Sequence, residues 1–240
     1  MDDNNGGGAA DIALHHWHIR PREYERHEAR RGRRHAYVGL DPRSTVLVVV
    51  DMVSFFVADS SHCRGVVLNI NRIAGALRAA GGTVAWVLPA VTAVPTEWAT
   101  GFYGPSIAAS YAGSGGTGTP RERLWHGLET HPDDVWAEKS ASSAFFPGRS
   151  TLLDELEGRG IETVLVTGTV TNVCCESTAR DASTLGYRVI MVADGNAGGN
   201  DEAHNATLHT IYRSFGDVRP TDEIIAMIAD VPPTSPPLSP

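Results

Sequence analysis

Hydrophobic residues in this chain fall into short continuous blocks separated by stretches of helical periodicity. Residues 46–50 (VLVVV) are an unbroken β-branched block ending at Asp51. Blocks of this kind predict central parallel strands covered on both faces. Val67, Ile70, Ile73, Ala74 and Leu77 recur at helical spacing over 66–80, and Gly81-Gly82 ends that helix. A second strand is predicted over 83–88, stopped by Pro89, and a short third over 134–138. A helix over 150–159 leads to a fourth strand at 163–167. Another helix, starting near Asn172 and running to Leu185, leads to a fifth strand at 188–193. A helix over 201–214, an edge strand at 217–218 and a last helix over 221–229 complete the pattern. This alternation predicts an α/β fold: a six-stranded, mostly parallel sheet with helices on both faces, a Rossmann-like three-layer architecture. Right-handed crossovers place the strand C-termini along one edge, where such sheets bind ligands.

Flanking segments set the domain boundaries. Residues 1–40 read as an N-terminal extension, 41–230 as the globular domain and 231–240 as a Pro-rich disordered tail. Residues 1–11 are Gly-rich and polar, which predicts disorder. Residues 19–35 hold seven Arg and three Glu after the run HHWH. They read as a helical arm packing on the domain or on a partner subunit, which makes a homo-oligomer the expectation. A nucleic-acid arm around Arg30, Arg31, Arg33 and Arg34 is the alternative. The net charge of −8 weighs against nucleic acid as a partner. No apolar run approaches the ~20 residues needed to span a bilayer, so no membrane partner is expected. The N-terminus lacks the features of a secretory signal, and Cys63, Cys174 and Cys175 fit a reducing compartment. The expectation is cytoplasmic. The Gly-rich run 112–119 reads as a flexible linker or mobile lid segment.

Three residues stand where the strands should end. Asp51 closes the first, Lys139 the third, and Cys174 follows the fourth. Lys139 is the one lysine in the chain, against 19 arginines. Such a position can require an ammonium, a compact charge whose pKa responds to its surroundings. Thr171 and Asn172 are candidate N-caps, which would put Cys174 in a first helical turn whose dipole and amides favour a thiolate and can hold an oxyanion. Cys175 points roughly 100° around the axis, toward the core. A carboxylate, an ammonium and a thiol converging at one edge could attack an amide carbonyl. In isolation, Asp51 could equally serve its loop and Cys174 could be a buried structural cysteine.

The stretch from Gly168 through Thr171-Asn172-Val173-Cys174 to Glu176-Ser177-Thr178-Ala179-Arg180-Asp181 resembles the isochorismatase-like cysteine hydrolases. So do Asp51-Met52 and Lys139 with Ser143-Ala144-Phe145. The resemblance covers roughly residues 44–229. It implies Cys174 as nucleophile, Asp51 as base and Lys139 as their charged partner. It also implies a cis peptide at Val170–Thr171, with Val170, Thr171 and Cys174 forming the oxyanion site. Val53 replaces the usual Gln, and the stretch 89–101 has no His. The metal cluster of nicotinamidase-like members is therefore not expected, and no cofactor is implied. The nearest branch is the amidohydrolases, streptothricin hydrolase-like enzymes among them, which implies C–N cleavage in a linear amide, ureide or lactam. Two alternatives remain: a Cys–His hydrolase with a base such as His62, or a non-catalytic binding protein on the same fold. Phe56, Trp98, Tyr103 and Phe145 are candidate substrate contacts, with Phe102 and Phe146 beside them. His204 and His209 read as surface or packing residues.

Overall fold

The computed structural model describes residues 12–92 and 94–230. The expectations for residues 1–11 and 231–240 fall outside the described residues. Six parallel strands form one sheet: β1 (Thr45–Val50), β2 (Thr83–Pro89), β3 (Val135–Lys139), β4 (Thr163–Thr169), β5 (Arg188–Ala197) and β6 (Asp217–Arg219), in the order β3-β2-β1-β4-β5-β6. The order reverses between β1 and β4, the switch point at which α/β sheets open a crevice. β1 is buried along its whole length. Val46, Val48 and Val50 face one core, and Leu47 and Val49 face the other.

The arm and the first core meet on one face. There α8 (Leu152–Leu156), α9 (Glu176–Thr184) and α10 (Asp201–Ser214) contribute Leu152, Ala179, Leu208 and Tyr212. On the other face α4 (Val67–Ala79) and α11 (Thr221–Ala229) contribute Ile70, Ile73, Leu77, Ile224 and Ile228. Short helices occupy the loops: α2 (Ser54–Val57) and α3 (Ser61–Gly65) follow β1; α5 (Glu97–Tyr103), α6 (Pro105–Ala112) and α7 (Pro120–Arg123) follow β2.

Two expectations change, for the 150–159 helix and the Gly-rich run, and the arm takes the first of its two expected positions. The 150–159 helix is one short turn, α8, because Gly158 and Gly160 adopt positive φ and end it. The arm folds onto its own domain. Its helix α1 (Pro21–Arg31) buries Glu23 and His27, and Tyr24 and His27 meet the Tyr212 ring edge-on. Arg31 and Arg33 donate to carbonyls of their own loop, and Arg34 pairs with Glu28 at 3.2 Å. The Gly-rich run is pinned as well. Arg123, buried, donates to the carbonyls of Pro89 and Gly115 at 2.9 and 3.0 Å. A Cβ on Gly115 would lie 2.8 Å from two carbonyl oxygens, so the run is close-packed against the end of β2.

Gly168 carries a second steric requirement. Its φ is 111°, and a Cβ there would lie 2.2 Å from the Val50 carbonyl oxygen, beside Asp51. Gly168→Ala combines a disfavoured backbone with a backbone clash, so it is expected to cost about 3 kcal/mol or more. A thermal midpoint within 2 °C of the parent, a shift well below what that cost implies, would contradict this packing.

Candidate active site

Asp51 is the first residue beyond β1, and its φ of 55° turns the chain sharply out of the sheet. A non-glycine residue held in this region is uncommon and concentrates at functional sites. Its amide donates to the Val87 carbonyl at 2.9 Å, which fixes it against β2. Lys139 ends β3, two strands away, and reaches across β2 to the carboxylate. Lys139 Nζ lies 2.8 Å from Asp51 Oδ2, with both side chains at 4% exposure or less. The ammonium also donates to the Ala141 carbonyl at 3.0 Å. The other carboxylate oxygen, Oδ1, is buried without a regular hydrogen-bond partner. The Cys174 thiol is the neighbouring group that interacts with both Asp51 and Lys139. A buried acceptor left open in this way is costly, and it is poised to take a proton.

The three groups perturb one another in directions that follow from burial. Burial raises the Asp51 pKa, opposed by the Lys139 charge. Lys139 is held above its ordinary value because the Asp51 and Cys174 charges outweigh its own burial. Burial and the adjacent carboxylate push Cys174 up to about 12. This reverses the expected thiolate. Burial thus favours a protonated Cys174 thiol beside the Lys139–Asp51 pair. The cause is local: desolvation and the Asp51 charge outweigh Lys139.

The backbone around Cys174 departs from an ordinary helix start. Thr171–Cys175 forms a π-helical turn before α9, in which the Val173 and Cys175 amides both donate to the Val170 carbonyl. Such turns concentrate at functional sites. The expected Thr171 or Asn172 side-chain cap does not form. Thr171 instead meets the ring of buried His204, Oγ1 to Nδ1, at 2.9 Å. The cis peptide is Thr169–Val170, one bond earlier than expected, directly after the last residue of β4 to pair with β5.

The aromatic candidates separate. Phe145 is fully buried in the first core, 5.5 Å from Tyr187, and is a packing residue rather than a substrate contact. Phe56 is half-buried beside Phe55. Trp98 and Tyr103 lie on α5, exposed to 67% and 42%. His62 stacks on His15, which stacks in turn on His204, with centroids 3.8 and 4.4 Å apart. The groups that act most on Cys174 are Asp51 and Lys139, and no histidine is among them.

Sequence reasoning missed this imidazole stack, whose members lie 47 and 142 residues apart. It rests against Thr171 and Gly198, beside the Cys174 turn. Burial lowers His204 to about 3, so its ring is neutral. One ring nitrogen each of His15 and His62 and an Asp201 oxygen lie within 4.8 Å of one another, a spacing that could hold a metal ion. His15 uses both ring nitrogens within the protein: Nδ1 bonds Asp201 at 2.7 Å and Nε2 accepts from Gly198 N–H at 3.0 Å. A metal at either nitrogen would have to displace one of those bonds.

A doubly wound sheet with a buried carboxylate–ammonium pair and a thiol at its switch point defines a class of small-molecule enzyme rather than a binding surface. Residues 45–223 match the Isochorismatase domain, and the chain belongs to the isochorismatase-like cysteine hydrolase family. Ureidoacrylate amidohydrolase RutB of Pseudomonas savastanoi pv. phaseolicola is 28% identical over 230 residues, covering 80% of this chain and 86% of that protein. Nicotinamidase 3 of Arabidopsis thaliana is 39% identical over 98 residues, and that match spans about half of its length (48%) and 41% of this chain. The crystal structure of a cysteine hydrolase from Pseudomonas syringae pv. phaseolicola 1448A superposes with a TM-score of 0.71 at 29% identity, covering 81% of this chain and 97% of that one.

Proposed function

We propose that this chain is a cysteine-nucleophile amidohydrolase that cleaves a C–N amide bond of a small molecule through a thioester. The observation that carries the reading is the buried 2.8 Å Lys139–Asp51 pair, both of whose groups interact with the Cys174 thiol. The thiol proton passes to Asp51 as Sγ attacks the carbonyl carbon, since a thiol near 12 does not ionise beforehand. Charge on the tetrahedral oxygen is met by main-chain amides of the Val170–Thr171–Cys174 turn. Collapse breaks the C–N bond, and protonated Asp51 gives its proton to the leaving amine. Water, deprotonated by Asp51, then attacks the thioester. The acid departs, and the proton returns to sulfur. Lys139 stays an ammonium throughout and keeps Asp51 ionised between the two half-reactions.

Support for C–N chemistry comes from the named activity of RutB, a relative over most of both chains. The substrate class is a linear amide, ureide or lactam, and the working state is a homo-oligomer in the cytoplasm. Among the described residues no helix is long and apolar enough to cross a membrane. Phe56, which follows Asp51 in the chain, is the aromatic assigned to the pocket wall. Trp98 and Tyr103 are too exposed to wall a site within one copy.

Screening ureides, carbamoyl compounds and lactams for amine or ammonia release tests the reading. Turnover that Cys174→Ala abolishes supports it, and equal turnover by that variant refutes it. The acid side of the pH profile offers a further check. Asp51 must be ionised to accept the thiol proton, and burial raises its pKa. Activity should therefore fall with acidification at a pH above the ordinary carboxylate value near 4. A kcat/KM that stays level down to pH 4 would contradict Asp51 as the base.

A further inference from the structure

His204 stands on α10, outside the Asp51–Lys139–Cys174 group, yet it bonds the turn that carries the nucleophile. Its Nδ1 lies 2.9 Å from the Thr171 hydroxyl, and both residues are wholly buried. Thr171 opens the Thr171–Cys175 turn, which has no side-chain cap. Burial keeps the His204 ring neutral, with a pKa of about 3, so one nitrogen holds the proton and the other a lone pair. The Ala193 carbonyl favours a proton on the ring, and Nε2 has no regular partner of its own. Placing the proton on Nε2, toward that carbonyl, leaves Nδ1 to accept and the Thr171 hydroxyl to donate. The ring is braced by the arm. His15 stacks on it at 4.4 Å, 19° from parallel, and is itself fixed to Asp201 and Gly198 at 2.7 and 3.0 Å. Gly198 also borders Thr171, since a Cβ built on it would lie 3.5 Å from Thr171 Oγ1.

We propose that His204 is a positioning residue for acyl transfer: by accepting the Thr171 hydroxyl, it sets the main-chain amides of the Cys174 turn where the tetrahedral oxygen forms. This role rests on the amidohydrolase reading above and adds a residue to it. Three observations select it. His204 is not among the groups that act on Cys174, so it works through Thr171 and not as a base. Packing alone would be better served by an apolar side chain, because burying a ring with an unpartnered Nε2 is costly. The bond also falls on the first residue of the turn, where a small rotation moves every amide that follows. Oxyanion stabilisation is strict about such placement, and an error of ~1 Å can cost about 100-fold in rate. A ring that stays neutral to about pH 3 offers the same acceptor at every working pH.

The test compares two reagents on the full chain. p-Nitrophenyl acetate acylates the Cys174 sulfur through a tetrahedral oxyanion, whereas iodoacetamide alkylates the same sulfur without one. His204→Leu removes the acceptor at similar volume. Its nitrophenolate burst should slow about 100-fold while its alkylation rate holds. Thr171→Val removes the donor instead and should show the same split, which keeps the test open if one variant folds poorly. The double variant should be no slower than either single one, because both act through one bond. His204→Asn, whose side-chain oxygen can take the place of Nδ1, should recover most of the acylation rate. Acylation at the parent rate in His204→Leu or Thr171→Val overturns the proposal. So does a parallel loss of acylation and alkylation, which marks a packing role, and so do additive losses in the double variant. Cys174→Ala separates the two levels. If it releases nitrophenolate as fast as the parent, the amidohydrolase reading fails and this role with it. A burst that requires Cys174 but ignores His204 rejects the positioning role alone.

Discussion

Lys139→Met is expected to lose at least about 1,000-fold in activity and about 3–5 kcal/mol in stability, the usual cost of removing one partner of a buried ion pair. The cause is the carboxylate left behind. Asp51 is buried with Oδ2 on the ammonium and Oδ1 open, so deletion of Lys139 strands a charge in a dry site. The loss should depend on pH with a definite sign. Without the ammonium, burial of Asp51 is opposed by the Cys174 hydrogen bond alone, and its folded pKa rises further above the unfolded value. A raised carboxyl pKa favours the folded state while the group is protonated, and that contribution disappears as pH rises through the folded pKa. The variant should therefore be closer to the parent at pH 5 than at pH 8 in denaturant melts. Pairing it with Asp51→Asn removes the stranded charge and should recover much of the stability with none of the activity. A stability loss independent of pH would contradict the pairing.

Cys174→Ser should be about 10⁴-fold or more slower than the parent, while unfolding within about 1 kcal/mol of it. The oxygen is a weaker nucleophile than sulfur, and its proton is held more tightly. Cys174 is partly exposed whereas Cys175 is buried in the core, so the two neighbours should differ in kind. Cys175→Ser is expected to lose stability because it puts a hydroxyl into the first apolar core. Cys174→Ser is expected to lose rate. Steady-state kinetics and thermal melts on the two variants separate the roles, and similar profiles for both would count against Cys174 as nucleophile.

The framework was legible where the physics is local. A β-branched block such as 46–50 has few alternatives to a doubly covered strand, and all six strands lie where the pattern places them. Three chemically distinct groups at strand ends sufficed to bring Asp51, Lys139 and Cys174 together, since sheet topology does the rest. What stayed hidden depends on partners distant in sequence. Thr171 looks like an N-cap until His204, 33 residues on, takes its hydroxyl. Phe145 looks like a pocket residue until Tyr187 and the first core enclose it. The Gly-rich run looks mobile until Arg123 clamps Gly115. The raised Cys174 pKa was hidden for the same reason. A helix start argues for a thiolate, and only the assembled site shows that burial and the Asp51 charge prevail.

Mass spectrometry of acid-quenched enzyme during turnover of an amide substrate addresses the nucleophile most directly. An adduct with the mass of the substrate acyl group should appear on the Cys174 peptide and vanish in Cys174→Ala. Steady turnover with no such adduct, even where hydroxylamine fails to intercept an acyl group, or an adduct on Cys63 or Cys175 instead, would contradict the account.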